Sequence, residues 1–266
     1  YQKMRALIIY LVISAVFIGC TPILSIDAST QSVYHFSDTD KNISLLDISE
    51  TFGTYDGSFV LYDNNLDSWK IYDLEEATKR IPPESTYKIY DALLGLESGI
   101  ITPEHSSMTW NGDAFPFPSW EADQDLNSAM QNSVNWYFQA IDSQLGINRV
   151  QEFLNKIEYG NQTTSSNLDL YWSDFSLKIS PLEQVTLLKK FNTNEFHLNF
   201  QNVFSVKNAI KIASTPNGNF YGKTGTGRVN GQDINGWFIG YVETSDNSYY
   251  FATNIQSDSN ATGKKA

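Results

Sequence analysis

Ser85 and Lys88 stand three residues apart in Ser85-Thr86-Tyr87-Lys88. On a helix, positions i and i+3 share a face, so this spacing brings an amine within reach of a hydroxyl. A serine hydroxyl is a weak nucleophile until an adjacent base takes its proton. A helix N-terminus also favours the negative charge that develops. Ser133-Val134-Asn135 offers a second hydroxyl and an amide. Lys223-Thr224-Gly225-Thr226-Gly227 offers a cation, hydroxyls able to hold a carboxylate, and glycines that let a backbone pass close to a ligand. S-x-x-K and S-x-N alone are weak, since about one S-x-x-K is expected by chance in a chain of this size, while a chance K-T-G is uncommon. Together, in this order and at domain-scale separation, they describe a nucleophilic serine with its own base, a second hydroxyl and an anion site.

The elements that must position these groups can be read from spacing. Pro82-Pro83 opens a helix that carries Ile89, Ala92, Leu93 and Leu96, with Gly99 placed to stop it. Residues 125–145 hold apolar residues at helical spacing, broken by Gly146. Asn148 is expected to cap a helix over 149–158. Ser180-Pro181-Leu182-Glu183 is a capping box that starts a helix running to about Phe191. Strands are expected at 57–62, with a hairpin partner at 69–72, and then at 220–223, 236–243 and 249–255. The K-T-G run thus follows a strand and precedes a turn. Strand, helices, then strands imply an α+β fold: an antiparallel β-sheet flanked by a helical cluster, its first strand supplied by the N-terminal end.

Composition narrows the function classes. Of 266 residues, 41% are hydrophobic and 18% charged, enough for a buried core. The net charge of −12 argues against nucleic acid, whose phosphates need compensating Lys and Arg. Cys20 is the single cysteine, so no disulfide forms within the chain. His35, His105 and His197 are scattered, and no metal site is expected. Residues 6–26 are apolar and uncharged, and a bilayer core needs about 20 such residues. Lys3 and Arg5 precede this run and Asp27, Asp38 and Asp40 follow it. The positive-inside rule therefore places 1–5 in the cytoplasm and the rest outside the cell membrane. A cleaved signal peptide from Met4, or lipidation at Cys20 after Phe17-Ile18-Gly19, are the other readings, and all of them export the domain. Residues 27–50 are polar and read as an extracellular linker, leaving 51–266 as the domain. The chain starts at Tyr1 and stops at Lys264-Lys265-Ala266 just after strand-like sequence, as a fragment of a longer protein or an incomplete gene product would, with a last helix against the sheet expected beyond it.

S-x-x-K, S-x-N and K-T-G in this order resemble the signature of the penicillin-recognising serine enzymes. Tyr159-Gly160-Asn161 resembles the Y-G-N motif of class D β-lactamases. Ser176-Leu177-Lys178-Ile179-Ser180-Pro181-Leu182-Glu183-Gln184, with Trp172 just before it, resembles the stretch that follows a key tryptophan in that class. The resemblance covers roughly 55–261. Within this branch the chain is most similar to the sensor domains of BlaR/MecR-type β-lactam signal transducers. Ser85-Thr86-Tyr87-Lys88-Ile89-Tyr90-Asp91-Ala92-Leu93, Asp123-Gln124-Asp125-Leu126-Asn127, Ser133-Val134-Asn135-Trp136-Tyr137-Phe138 and Asn235-Gly236-Trp237-Phe238-Ile239-Gly240-Tyr241-Val242 carry that likeness.

The resemblance implies a serine β-lactamase/transpeptidase-like fold behind one transmembrane helix. It implies β-lactam antibiotics as ligands. It implies as partners the lipid bilayer and the rest of a receptor, with further membrane helices and a cytoplasmic metalloprotease domain. No cofactor is implied except CO₂, which would N-carboxylate Lys88; the carbamate would act as general base on Ser85, supported by a hydrogen bond from Trp172. Ser133 would relay a proton to the lactam nitrogen. The N–H groups of Ser85 and Thr226 would form the oxyanion hole. Lys223, Thr224, Gly225 and Thr226, with Tyr159 and Asn161, would bind the drug. Asn135 is polar where class D enzymes usually carry an aliphatic residue. This implies a sensor that is acylated at Ser85 and keeps its acyl group. The alternative is a class D β-lactamase that hydrolyses the drug through the same acyl-serine. A cell-wall transpeptidase or carboxypeptidase is a third reading; the short exported part and Y-G-N count against it.

Overall fold

A period-2 pattern of buried residues builds the sheet. Ser58, Val60 and Tyr62 of β2 (Asp56–Asp63) are buried on one face, as is Ile71 of β3 (Ser68–Tyr72), its hairpin partner. The structure, a computed structural model, describes residues 42–266. The apolar run at 6–26, Cys20 and most of the linker lie outside the described residues. Among those described, no helix is long and apolar enough to cross a membrane.

Among the described residues the sheet has seven strands, in the order β1-β3-β2-β7-β6-β5-β4. β5 (Gly218–Val229), β6 (Gln232–Glu243) and β7 (Ser248–Gln256) run antiparallel to their neighbours, and β4 (Lys211–Thr215) closes one edge. The expectation of an antiparallel sheet is corrected at the other edge. β1 (Ile43–Leu45) pairs parallel with β3, so the sheet is mixed. β2 already occupies one side of β3, so β1 can join only on the free side. Trp69 N–H donates to Asn42 O (2.7 Å) and Leu46 N–H to Ile71 O (2.8 Å). This strand, and the first half of the following turn of helix, α1 (Ser49–Phe52), fall in the stretch 27–50 read as linker. The β5–β6 hairpin turns at Asn230-Gly231, both with positive φ (49° and 79°), as a two-residue turn matched to strand twist requires. K-T-G therefore lies inside a long strand rather than at its end.

Helices cover the inner face of the sheet. After α2 (Leu74–Thr78), a 3₁₀ turn over Glu84–Tyr87 leads into α3 (Lys88–Glu97). Every residue of α3 from Lys88 to Leu96 is buried, as expected of a helix at the centre of a domain. Gly95 permits the approach of α5 (Asn135–Leu145), since a Cβ there would lie 3.0 Å from Ile141 Cγ2. The helical stretch at 125–145 is two helices, α4 (Leu126–Gln131) and α5, divided at Ser133, whose φ is +55°. α6 (Ile147–Ile157) begins before the expected cap at Asn148, because Gly146 in an extended positive-φ conformation both ends α5 and starts α6. α7 (Pro181–Asn192) starts from the expected box: Glu183 N–H donates to Ser180 Oγ (3.2 Å) and Ser180 N–H to Glu183 Oε2 (2.9 Å). It packs across β7, β2 and β6. α8 (Phe200–Ala209) and β4 had no expectation in the sequence pattern.

Candidate active site

The turn that carries Ser85 is anchored on both sides. Ile81 exchanges backbone hydrogen bonds with Ile179 (3.1 and 2.9 Å), and Glu84 N–H donates to Trp172 O (3.0 Å). From the sheet, Trp237 Nε1 (2.8 Å) and Asn235 Nδ2 (3.0 Å) both donate to Pro82 O. Thr86 Oγ1 donates to Pro83 O (2.6 Å) and accepts from Gln184 Nε2 (2.8 Å) of α7. Such support fixes the nucleophile before any ligand arrives.

Lys88 sits one helical step below Ser85, with 0% exposure. Its Nζ lies 2.7 Å from Ser85 Oγ and 3.4 Å from Ser133 Oγ, and donates to Asn135 Oδ1 at 2.6 Å. The rings of Phe138 and Trp172 stand 5.7 and 5.9 Å from the same nitrogen. Ser133 reaches it because the chain turns through a left-handed residue there, a conformation that non-glycine residues adopt mainly where function or packing requires it. Lys223 Nζ donates to Ser133 Oγ (3.0 Å) and Thr224 O (2.9 Å). Ser85, Lys88, Ser133 and Lys223 therefore form one continuous polar chain, with Asn135 branching from Lys88.

Burial holds the Lys88 amine well below the usual lysine range, and the positive charge of Lys223 adds to the effect; Asp91 and Glu84 oppose it. A neutral amine can accept a hydroxyl proton, which a lysine ammonium cannot. Burial also brings Lys223 down to about 7. One turn along α3 from Lys88, Asp91 is buried and pushed up to about 7 by desolvation. It faces Asp142 of α5, whose carboxyl is likewise raised by burial and accepts from Tyr171 Oη at 3.2 Å. Neither Asp was expected at the site. The signal lay in their spacing: Asp91 is i+3 from Lys88 and Asp142 is i+7 from Asn135, polar residues on otherwise apolar faces.

Trp172, Asn135, Thr226 and Gly227 line the cleft in front of Ser85, together with Glu84 and the exposed side chain of Phe175. Along β5, Gly225 turns its Cα toward the nucleophile: a Cβ there would lie 3.2 Å from Ser85 N. Thr224 is exposed and touches Lys223 through its carbonyl. Tyr159 and Asn161, expected among the ligand-binding residues, are not among the residues that line this cleft. Tyr159 is fully buried, edge-on to Tyr87 and Tyr90 at 5.2 Å each, and so contributes to the core. Asn161 binds backbone: Nδ2 donates to Ser176 O (2.7 Å) and Oδ1 accepts from Lys178 N–H (2.9 Å). Glu84, which sequence reading passed over, is a wall of the cleft.

Residues 57–266 match the family model described as the penicillin binding protein transpeptidase domain, and the chain belongs to that family. Within it, the chain is 45% identical over 263 residues to the regulatory protein BlaR1 of Bacillus licheniformis, a match that covers 98% of this chain and 43% of that protein. The chain thus spans less than half the length of this curated relative. The solved C-terminal domain of the Bacillus licheniformis BlaR penicillin-receptor superposes with a TM-score of 0.81 at 46% identity, covering 85% of this chain and 92% of that one. The class D β-lactamase BAT-2 superposes with a TM-score of 0.77 at 35% identity, over 83% and 90% of the two chains.

Proposed function

We propose that the chain is the β-lactam-sensing part of a membrane receptor, acylated at Ser85 and slow to release the acyl group. One observation carries this reading: the buried Lys88 Nζ lies 2.7 Å from the Ser85 hydroxyl and is held at 2.6 Å by the Asn135 amide. In the forward step Lys88 takes the Ser85 proton, Oγ bonds to the lactam carbonyl carbon, and the C–N bond of the ring breaks. Ser133, between the two lysines, passes a proton to the departing nitrogen. Lys223 attracts the drug carboxylate, with Thr224, Gly225 and Thr226 beside it. The N–H groups of Ser85 and Thr226 face the developing oxyanion.

The full burial and the lowered basicity of Lys88 fit an amine able to take up CO₂, which reacts only with the neutral form. When present, the carbamate supplies a stronger general base than the amine. Phe138 and Trp172 would enclose it, with the Trp172 indole as its hydrogen-bond donor. The Asn135 amide competes for the same nitrogen. In our reading this competition leaves no base to activate water after acylation, and the adduct persists as the signal. The apolar run at 6–26 and the similarity to a regulatory penicillin receptor support a membrane-anchored sensor outside the cell, joined to further parts of a longer protein.

Mixing the protein with a chromogenic cephalosporin tests the proposal. One equivalent of product in a burst, followed by near silence, is expected. Continuous release would instead make the chain a class D-like hydrolase. A ¹³C-bicarbonate NMR signal at Lys88 is expected near neutral pH, and its absence would remove the carbamate from the scheme.

A further inference from the structure

We propose that Glu84 is a positioning residue that sets the gap between the Ser85 turn and the edge of β5, and that it does so as an uncharged acid. The inference rests on the acyl-serine reading above. Glu84 directly precedes the nucleophile, is 5% exposed and lines the cleft. Its φ of +52° is one that non-glycine residues seldom take without support. The support is its N–H bond to Trp172 O (3.0 Å). Oε1 accepts from Asn235 Nδ2 (3.2 Å), the group that also donates to Pro82 O (3.0 Å). Asn235 Oδ1 in turn accepts from Asn254 Nδ2 (2.8 Å), so β6 and β7 both hold this carboxyl in place.

Against β5 the fit is steric. A Cβ on Gly227 would strike the Glu84 carboxyl, and one on Gly225 would lie 3.1 Å from Glu84 Cβ. The side chain is thus a wedge between the Ser85 amide and the strand that carries Thr226. Burial pushes its pKa up to about 8, with Asn235 and Lys88 pulling the other way. Of the charged groups on β5, Arg228 lines the same cleft and is paired with Asp233 of β6 (2.8 Å), and Lys223 is bound to Ser133 (3.0 Å). Asp174, in the segment with Trp172, is exposed and bound to Ser165 and Ser176. Ionised Glu84 would place an anion in the wall of a cleft where acylation itself creates one.

Acylation of the full chain by a fluorescent penicillin, followed by intact mass from about pH 6.5 to about pH 9, tests this with Glu84→Gln and Glu84→Ala. Lys223 titrates in every variant and cancels in the rate ratios, which report Glu84 together with the pull of its charge on Lys88. The Gln to wild-type ratio is expected to rise about five-fold or more across the range. Glu84→Ala is expected to acylate about ten-fold more slowly than Gln at every pH. A flat Gln ratio, or an Ala variant as fast as Gln, would overturn the proposal. Melting without ligand gives an independent reading. The folded protein keeps a proton that the unfolded chain releases near 4.5, so the wild type should lose stability relative to Gln as pH rises from about 5 to about 8. Parallel melting profiles would refute the uncharged wedge. A wild type that takes no label at Ser85 would sink the acylation reading, and melting would still decide the charge state of Glu84.

Discussion

Asn135 and Asn161 are the amides that close two short motifs of similar appearance, and the fold employs them in opposite ways. Asn135 opens α5 and turns its Oδ1 onto a buried amine at 2.6 Å. Asn161 turns both ends of its amide onto backbone, with its own N–H donating to Lys178 O at 2.9 Å. Gly160 beside it has φ +49°, and a Cβ there would strike Lys178 O. Y-G-N therefore fastens the segment that carries Trp172, whose carbonyl in turn holds Glu84. One motif touches the buried amine of Lys88 and the other stiffens the segment beside it. Residue type and spacing do not distinguish these uses; the partner atom does.

Substituting the first amide should give the largest change. In Asn135→Val the competitor for Lys88 is gone and its surroundings become apolar. Release of a preformed penicilloyl adduct, timed by intact mass, is expected to quicken about 10- to 100-fold, the range in which a positioned general base acts. An adduct lifetime equal to that of the wild type would show that the Asn135 amide does not protect the acyl state.

A smaller effect should come from Lys223, which shares Ser133 with Lys88. Its pKa near 7 means the ammonium dominates below that pH and fades above it. Acylation by β-lactams that carry a carboxylate should therefore decline as pH rises from about 6 to about 8. Lys223→Gln should cost about ten-fold at pH 6 and flatten the profile. A variant that retains the wild-type slope would assign that titration to another group.

How far these contrasts could be foreseen depends on the range of the interaction. The capping box at Ser180, the β2–β3 hairpin and the Ser85–Lys88 pairing are local, and local spacing predicts them. The parallel pairing of β1, the length of β5 and the cap at Gly146 depend on which edge or neighbour is free in the assembled fold. Glu84 illustrates the limit. At the start of a helix it reads as an ordinary acidic residue, and its burial comes from Asn235, 151 positions away. Asp91 and Asp142 were more legible, since each interrupts an apolar helix face, but which charge each would meet was not.

The smallest expected effect on chemistry belongs to Asn161. Asn161→Ala removes two short side-chain hydrogen bonds to backbone, at Ser176 and Lys178, in a partly buried setting, and a long one from Thr163 N–H (3.4 Å). Two such losses cost about 1–3 kcal/mol of stability, read as a lower Tm. The backbone bond from Asn161 N–H to Lys178 O survives the change, so the Trp172 segment keeps one of its ties. Acylation at saturating drug should then stay within about three-fold of wild type. A fall as deep as that of Lys223→Gln, with Tm unaltered, would return Asn161 to the ligand-binding set and erase the distinction between the two amides.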